Sequence, residues 1–183
     1  MKRHFKSVLA LAACTLPLQC ATLERLSLDD IITKSTAIVR GTVGSSYSAL
    51  TGRVIYTHYA IHVLERFTGP SQGAVDVAIP GGVANNLRQT FAGAPELKTG
   101  EEYIFFLWTG RSGITQVIGL TQGLFSIAPA ASADPVATRR ASGELMVARG
   151  TGAPVKDQTL TMRLSELRSR IAGTLAAGRS VAK

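Results

Sequence analysis

Hydrophobic and polar positions alternate over their longest run between Val54 and Gly69, in VIYTHYAIHVLERFTG. Ile55, Thr57, Tyr59, Ile61, Val63 and Phe67 fall on one side of a period-two ribbon, and Tyr56, His58, Ala60, His62 and Arg66 on the other. The pattern predicts a long strand with one core face and one mixed face. A strand of this length, rich in β-branched and aromatic residues, bends or coils, which favours a small barrel over a flat sheet. The Glu65-Arg66 pair and the Gly69-Pro70 turn end it.

The flanking segments follow the same logic. Ser27–Lys34 reads as a short helix, because Ser27 and Asp30 have capping-box spacing and Leu28, Ile31 and Ile32 form an apolar stripe. Thr36–Val43 reads as a first strand, and Gly44–Gly52 as a Ser- and Gly-rich connection. Ala74–Pro80 is a third strand, followed by a loop opened by Gly81 and Gly82 that runs through Asn85 and Asn86, with a short strand over Leu87–Phe91. Tyr103–Trp108, YIFFLW, is apolar on both faces and predicts the central buried strand. Ile114–Ile118 and Leu124–Ile127 read as two strands of a hairpin joined by Gly119–Gly123. From Ala128 the composition shifts to Ala, Ser, Thr, Gly and Pro, predicting a loose extension in which only Glu144–Ala148 is a strand. Leu164, Leu167, Ile171, Ala172 and Leu175 then recur at helical spacing, predicting a C-terminal helix over 163–177.

Charge narrows the function classes. The net charge is +8, but residues 21–127 hold eight Lys or Arg against eight Asp or Glu, so the surplus lies in the two ends. A neutral β domain lacks the basic stripe that nucleic-acid binding requires. The first six residues, MKRHFK, are basic, and Ser7–Leu18 is apolar with small residues, the layout of a secretory signal peptide over residues 1–20. The apolar run is short and interrupted by Pro17, so no transmembrane helix is expected, and the product is expected to be secreted or periplasmic. Cleavage between Cys20 and Ala21 leaves a mature chain without thiols. The alternative, Leu11-Ala12-Ala13-Cys14, is similar to a lipoprotein box in which Cys14 would carry a lipid and anchor an envelope protein. With both cysteines in the leader, thiol catalysis, thiolate metal sites and disulfides are set aside, and burial alone holds the fold.

The order Ser35–Val43, Ile55-Tyr56-Thr57, Val63–Gly69, Ile79–Gly82 and Gly100–Leu107 resembles a group of uncharacterised secreted bacterial proteins. The strand rhythm over roughly residues 26–127 is also similar to the netrin-like domain of tissue inhibitors of metalloproteinases. The resemblance implies a mainly β, OB-like (netrin-like) barrel of five to six strands over residues 21–127, with a short N-terminal helix and a C-terminal helix. In those inhibitors a disulfide-bonded N-terminal cysteine sits on the target's zinc; here Cys20 has no partner but Cys14, so only the barrel carries over.

Candidate chemistry is sparse. His58 and His62 are four residues apart, about 13 Å along a strand, too far to share a metal ion. A hydrolase would need one of them beside Ser46 or Ser48 and an acid, and no Gly-x-Ser-x-Gly elbow is present. Glu101 and Glu102 point to opposite faces of a strand and make a poor acid/base pair. No phosphate loop, dinucleotide fingerprint or calcium loop occurs, so no cofactor is expected. Gly81, Gly82, Asn85 and Asn86 form the candidate binding loop, since loops on a rigid scaffold carry recognition. The expected function is therefore a secreted, non-enzymatic module that binds an extracellular or envelope protein, a protease among the options.

Overall fold

The computed structural model of the protein describes residues 22–128 and 133–181. The expected signal peptide, its Cys20/Ala21 cleavage point and the alternative Cys14 anchor lie outside the described residues.

In chain order the elements are β1 (Thr22–Glu24), α1 (Leu28–Lys34), β2 (Ala37–Thr51), β3 (Val54–Thr68), β4 (Ala74–Pro80), β5 (Gly82–Ala84) and β6 (Leu87–Gln89). There follow β7 (Glu102–Thr109), β8 (Thr115–Val117), a 3₁₀ turn (Leu120–Gly123), β9 (Leu124–Ile127), β10 (Val136–Arg139) and β11 (Leu145–Val147). The chain ends in β12 (Pro154–Val155), β13 (Leu160–Arg163) and α2 (Leu164–Val181). The main sheet runs β13-β10-β9-β7-β2-β3-β4, with β8 also on β7. A small sheet runs β1-β11-β12, and β5-β6 is a separate hairpin.

Strand β7 sits between β2 and β9, and it buries both faces as its unbroken apolar run requires. Tyr103, Phe105 and Leu107 point into one core with Val39, Val43, Ile61, Val77, Ile79, Leu97 and Val117. Ile104 and Phe106 point into a second with Ile38, Phe125 and Ile127 from the sheet and Ile31, Ile32, Leu164, Leu167 and Ile171 from the two helices. Each fully buried side chain of this size contributes about 1.5–3 kcal/mol.

Strands β2 and β3 pair along almost their whole length, with register shifts at Ile38/Val39, Arg40/Gly41 and Val43/Ser46. Bulges bend and twist a strand, so the pair curls over the first core. They also switch faces: Phe67 packs against the helix-side core while Ile61 lies in the opposite one, so the strict alternation predicted for β3 breaks near its end. Gly41 is required by the curl, because a Cβ there would stand 2.6 Å from the His62 carbonyl oxygen. Strand β4 approaches β8 without a ladder between them, and among the described residues the sheet does not close into a barrel.

Several local expectations change. The Ser- and Gly-rich stretch 44–51 continues β2, because β3 supplies its hydrogen bonds out to the Thr51–Val54 pair. β8 and β9 do not pair with each other; both lie on the same edge of β7, separated by a detour. The Ile118 N–H donates to the Phe106 carbonyl at 3.0 Å and the Gly123 N–H to the Ile118 carbonyl at 2.9 Å, which holds the ends of the detour together. Inside it the buried Gln122 accepts from the Leu26 N–H at 2.8 Å and donates to the Glu24 carbonyl at 3.0 Å, fastening the N-terminal segment.

The segment expected to be loose makes β10, β11, β12 and β13, two of which extend the main sheet. Composition does not reveal the contacts that order it: strand ladders, the buried Ala137 and Met146, and a buried ion pair. Arg139 Nη2 donates to Asp157 Oδ1 at 2.6 Å with both side chains at most 2% exposed. Asp157 also accepts from the Ser142 N–H at 2.8 Å, and Arg139 donates to the Gln158 carbonyl at 2.9 Å. Burial pulls the Arg139 guanidinium below its usual range, while Asp157 opposes the shift.

The helices are docked by carboxylates as well as by oil. The capping box of α1 is formed, with the Asp30 N–H donating to Ser27 Oγ at 3.0 Å. Asp29 accepts a forked pair of hydrogen bonds from Arg170 at 2.9 and 2.6 Å, and Arg168 clamps Glu65 in the same way. In α2, Leu164, Leu167 and Ile171 are buried as expected, but Ala172 is exposed.

Two outcomes follow. Asp157→Ala strands a buried guanidinium and lowers stability by about 3–5 kcal/mol in urea unfolding, whereas the double variant Arg139→Met/Asp157→Leu recovers most of the loss; equal losses in both would contradict the ion-pair account. The Arg170 guanidinium holds the Asp29 carboxyl below the usual range, and Ser27 does the same for Asp30. Depressed folded values mean that this contribution is complete above the unfolded carboxyl value, about 3.9, and is lost as pH falls through the folded values. Acid titration of Asp29→Asn followed by circular dichroism is expected to show a shallower acid limb than the parent.

Candidate functional site

Beyond residue 44 the β2–β3 pair continues as an arm to its turn at Gly52 and Arg53, with β4 laddered along β3 from His62 to Tyr56. Past the end of β4 a second hairpin, β5–β6, is fastened to its side. Asn85 and Asn86 both adopt positive φ, 51° and 59°, as a two-residue turn between β5 and β6 demands. Asn tolerates that conformation better than other side-chain-bearing residues. The expected loop through Gly81, Gly82, Asn85 and Asn86 is thus a tight hairpin, paired Gly82 to Gln89, Val83 to Arg88 and Ala84 to Leu87.

Its anchoring is polar. Gln89 Oε1 accepts from the Ile55 N–H at 2.6 Å and Gln89 Nε2 donates to the Arg53 carbonyl at 3.0 Å, replacing a ladder that a third strand would have provided. Thr57 Oγ1 donates to the Gly81 carbonyl at 2.8 Å and lies 3.0 Å from Ser48 Oγ. Gly82 is needed beside this cluster: φ is +133°, and a Cβ would stand 2.5 Å from Thr57 Oγ1 and 2.6 Å from Ser48 Oγ.

What the arm presents to solvent is apolar and basic. Among the described residues eight large hydrophobic side chains are exposed, and five of them, Tyr47, Leu50, Val83, Leu87 and Phe91, belong to the arm or its hairpin. No Asp or Glu occurs in 44–57 or 80–91, while Arg53 and Arg88 are exposed there and make no ion pair with the described residues. The arrangement is suited to an apolar surface with an acidic border.

The histidines divide. His58 Nδ1 lies 2.8 Å from Asp76 Oδ2, and its ring stacks on Tyr47 with centroids 4.9 Å apart and planes 8° from parallel. His62 is exposed and lies over Gly44. Tyr47 stands directly across from His58, so Ser46 and Ser48 point to the opposite face and neither completes a triad. Glu101 and Glu102 also diverge as expected: Glu101 accepts from the Tyr103 hydroxyl at 2.5 Å, and Glu102 accepts from Arg40 at 2.5 Å. Burial, with help from Glu101, pushes Tyr103 up to about 12. Among the described residues no group of three or more His, Cys, Asp or Glu side chains converges as metal ligands, and no helix is long and apolar enough to cross a membrane.

The sequence pointed to the turn residues but missed Gln89 and the exposed Leu50, Leu87 and Phe91. A legible signal was the Asn-Asn pair between two short alternating segments. The Gln89 bonds span 34 and 36 positions and left no local trace.

Gly82→Val is expected to detach β5–β6 from the arm without unfolding the two cores. Trypsin cleavage after Arg88 should accelerate by roughly tenfold or more, as local opening becomes easier by at least about 1.4 kcal/mol. The global urea midpoint should stay nearly fixed, and Asn86→Gly, compatible with the turn, should leave cleavage unchanged. An unaltered cleavage rate in Gly82→Val would contradict the close packing described.

Comparison with protein-family models, with the curated proteins and with the solved structures returned no match for this chain.

Proposed function

We propose that this chain is an exported, non-enzymatic module that binds another extracellular or envelope protein through the β2–β3 arm and its β5–β6 hairpin. The reading is carried by one observation: exposed apolar side chains and two arginines without an ion pair among the described residues lie on the arm and its hairpin, with Tyr47 on the face opposite Leu50. Exposed apolar clusters rimmed by one charge sign are a common form of protein-recognition surface. The leader supports export. The bulged, coiled β2–β3 pair and the approach of β4 to β8 support an OB-like, netrin-like origin for the scaffold. Inhibition of a protease belongs to this reading as one form the partner can take, with the arm rather than an N-terminal cysteine making the contact.

A hydrolase is the second reading, favoured by the His58–Asp76 pair. An acid-oriented imidazole is half of a nucleophilic site, but the rings beside it are Tyr47 and Tyr56, and among the described residues no serine or threonine hydroxyl is hydrogen-bonded to it.

The two readings separate experimentally. Affinity capture from the envelope and culture medium of the producing cell, with the parent and with Leu87→Asp/Phe91→Asp, should return a protein that the parent retains and the double variant loses by roughly tenfold or more, as expected when central apolar anchors are replaced by charge. Retention of every captured protein by the double variant would count against the arm. His58→Gln should leave activity on an ester and peptide panel at background, like the parent; a parental activity abolished by that substitution would establish the hydrolase instead.

A further inference from the structure

Trp108 is the only tryptophan of the chain, and it stands 48% exposed at the end of the most deeply buried strand. It borders a groove of about 500 Å³ walled by Val117, Ile118, Gly119 and Leu120. Among the described residues Lys34 and Gln116 add polar side chains to its lining. Volumes of several hundred Å³ with a mostly apolar wall and few polar groups are typical of small-molecule sites.

Three details define the groove. Gly119 and Leu120 adopt left-handed backbone in succession, φ 59° and 58°. A leucine in that region is strained, and such strain persists only where surrounding bonds impose it. Here the Ile118–Gly123 hydrogen bond and the buried Gln122 impose it, and Leu120 becomes part of the groove wall. The indole lies over Gly110, where a Cβ would approach its Cη2 to 2.9 Å, so the glycine leaves room for the ring beside the groove. Lys34, in the last turn of α1, makes no ion pair within 4.0 Å among the described residues, and no carboxylate lines the groove.

We propose that this groove binds an amphipathic carboxylic acid of fatty-acid size. The tail lies against Trp108, Val117, Ile118 and Leu120, and the carboxylate pairs with Lys34. An apolar wall selects the tail, and Lys34, whose charge also acts on Asp30, itself paired with Arg149, selects an anion over a cation or a neutral head group. The site is separate from the arm: β2 begins beside Trp108, with Ala37 opposite Leu107, and reaches the arm's turn only at Thr51. Its outcome therefore does not depend on the protein-binding reading.

Because Trp108 is the sole indole, its fluorescence reports the groove directly. Titration of the full chain with decanoate at neutral pH is expected to give a saturable emission change, with decanol binding more weakly. Lys34→Glu is expected to weaken decanoate by roughly tenfold, as an attraction becomes a repulsion, and to leave decanol unchanged. Isothermal titration calorimetry with decanoate covers the case in which the indole is bound but spectrally silent. Absence of saturable binding by both methods, in protein that retains its circular dichroism spectrum, would overturn the proposal. So would decanoate and decanol binding equally with no response to Lys34→Glu.

Discussion

Burial of both faces of one strand is the constraint on which the rest of the structure depends. Ile104, Phe105, Phe106 and Leu107 are all fully buried, so the sheet must be covered on its two sides at the same place. The chain meets that requirement by unlike means. Two helices, held by Asp29–Arg170 and Glu65–Arg168 pairs, cover one side, while the sheet's own curl and the segment around Leu97 cover the other. Neither core contains a cysteine, and the hydrophobic effect acts on both at once.

The same curl creates the candidate site. Bulges between β2 and β3 bend the pair around the first core, and past the last shift, near Ser46, Tyr59 still packs on that core and Ile55 is fully buried. The arm's backbone is satisfied by its own ladder, by β4 and by Gln89, Thr57 and the β5–β6 hairpin. Leu50, Leu87 and Phe91, by contrast, are large, apolar and exposed. That mismatch between local need and residue choice is the physical argument for recognition at this end.

How much of this could be read from the residues depends on the range of the interaction. The capping box of α1, the two-faced strand at Tyr103–Trp108 and the C-terminal helical stripe are local or periodic, and they stood out at once. Long-range satisfaction did not. Arg139 and Asp157 are separated by eighteen positions, and their buried pairing acts with the β10–β13 ladder and the buried Met146 to order that stretch. Gly119 is a turn signal for a β8–β9 hairpin and for the observed detour alike; the detour is fastened by Gln122, which reaches a segment ninety-six positions earlier. Phe67 was placed on the wrong face because a bulge resets the period without marking the sequence.

A structure organised in this way has two tiers of stability, with the doubly buried strand at the top and the arm below it. Native-state hydrogen exchange measures that ordering amide by amide. The account predicts that Ile104–Leu107 exchange only through global unfolding, with an opening free energy equal to that from denaturant titration. Amides of residues 47–57 and 82–89 should exchange through local openings of clearly lower free energy. Arm amides protected to the global limit, or β7 amides exchanging ahead of them, would contradict it.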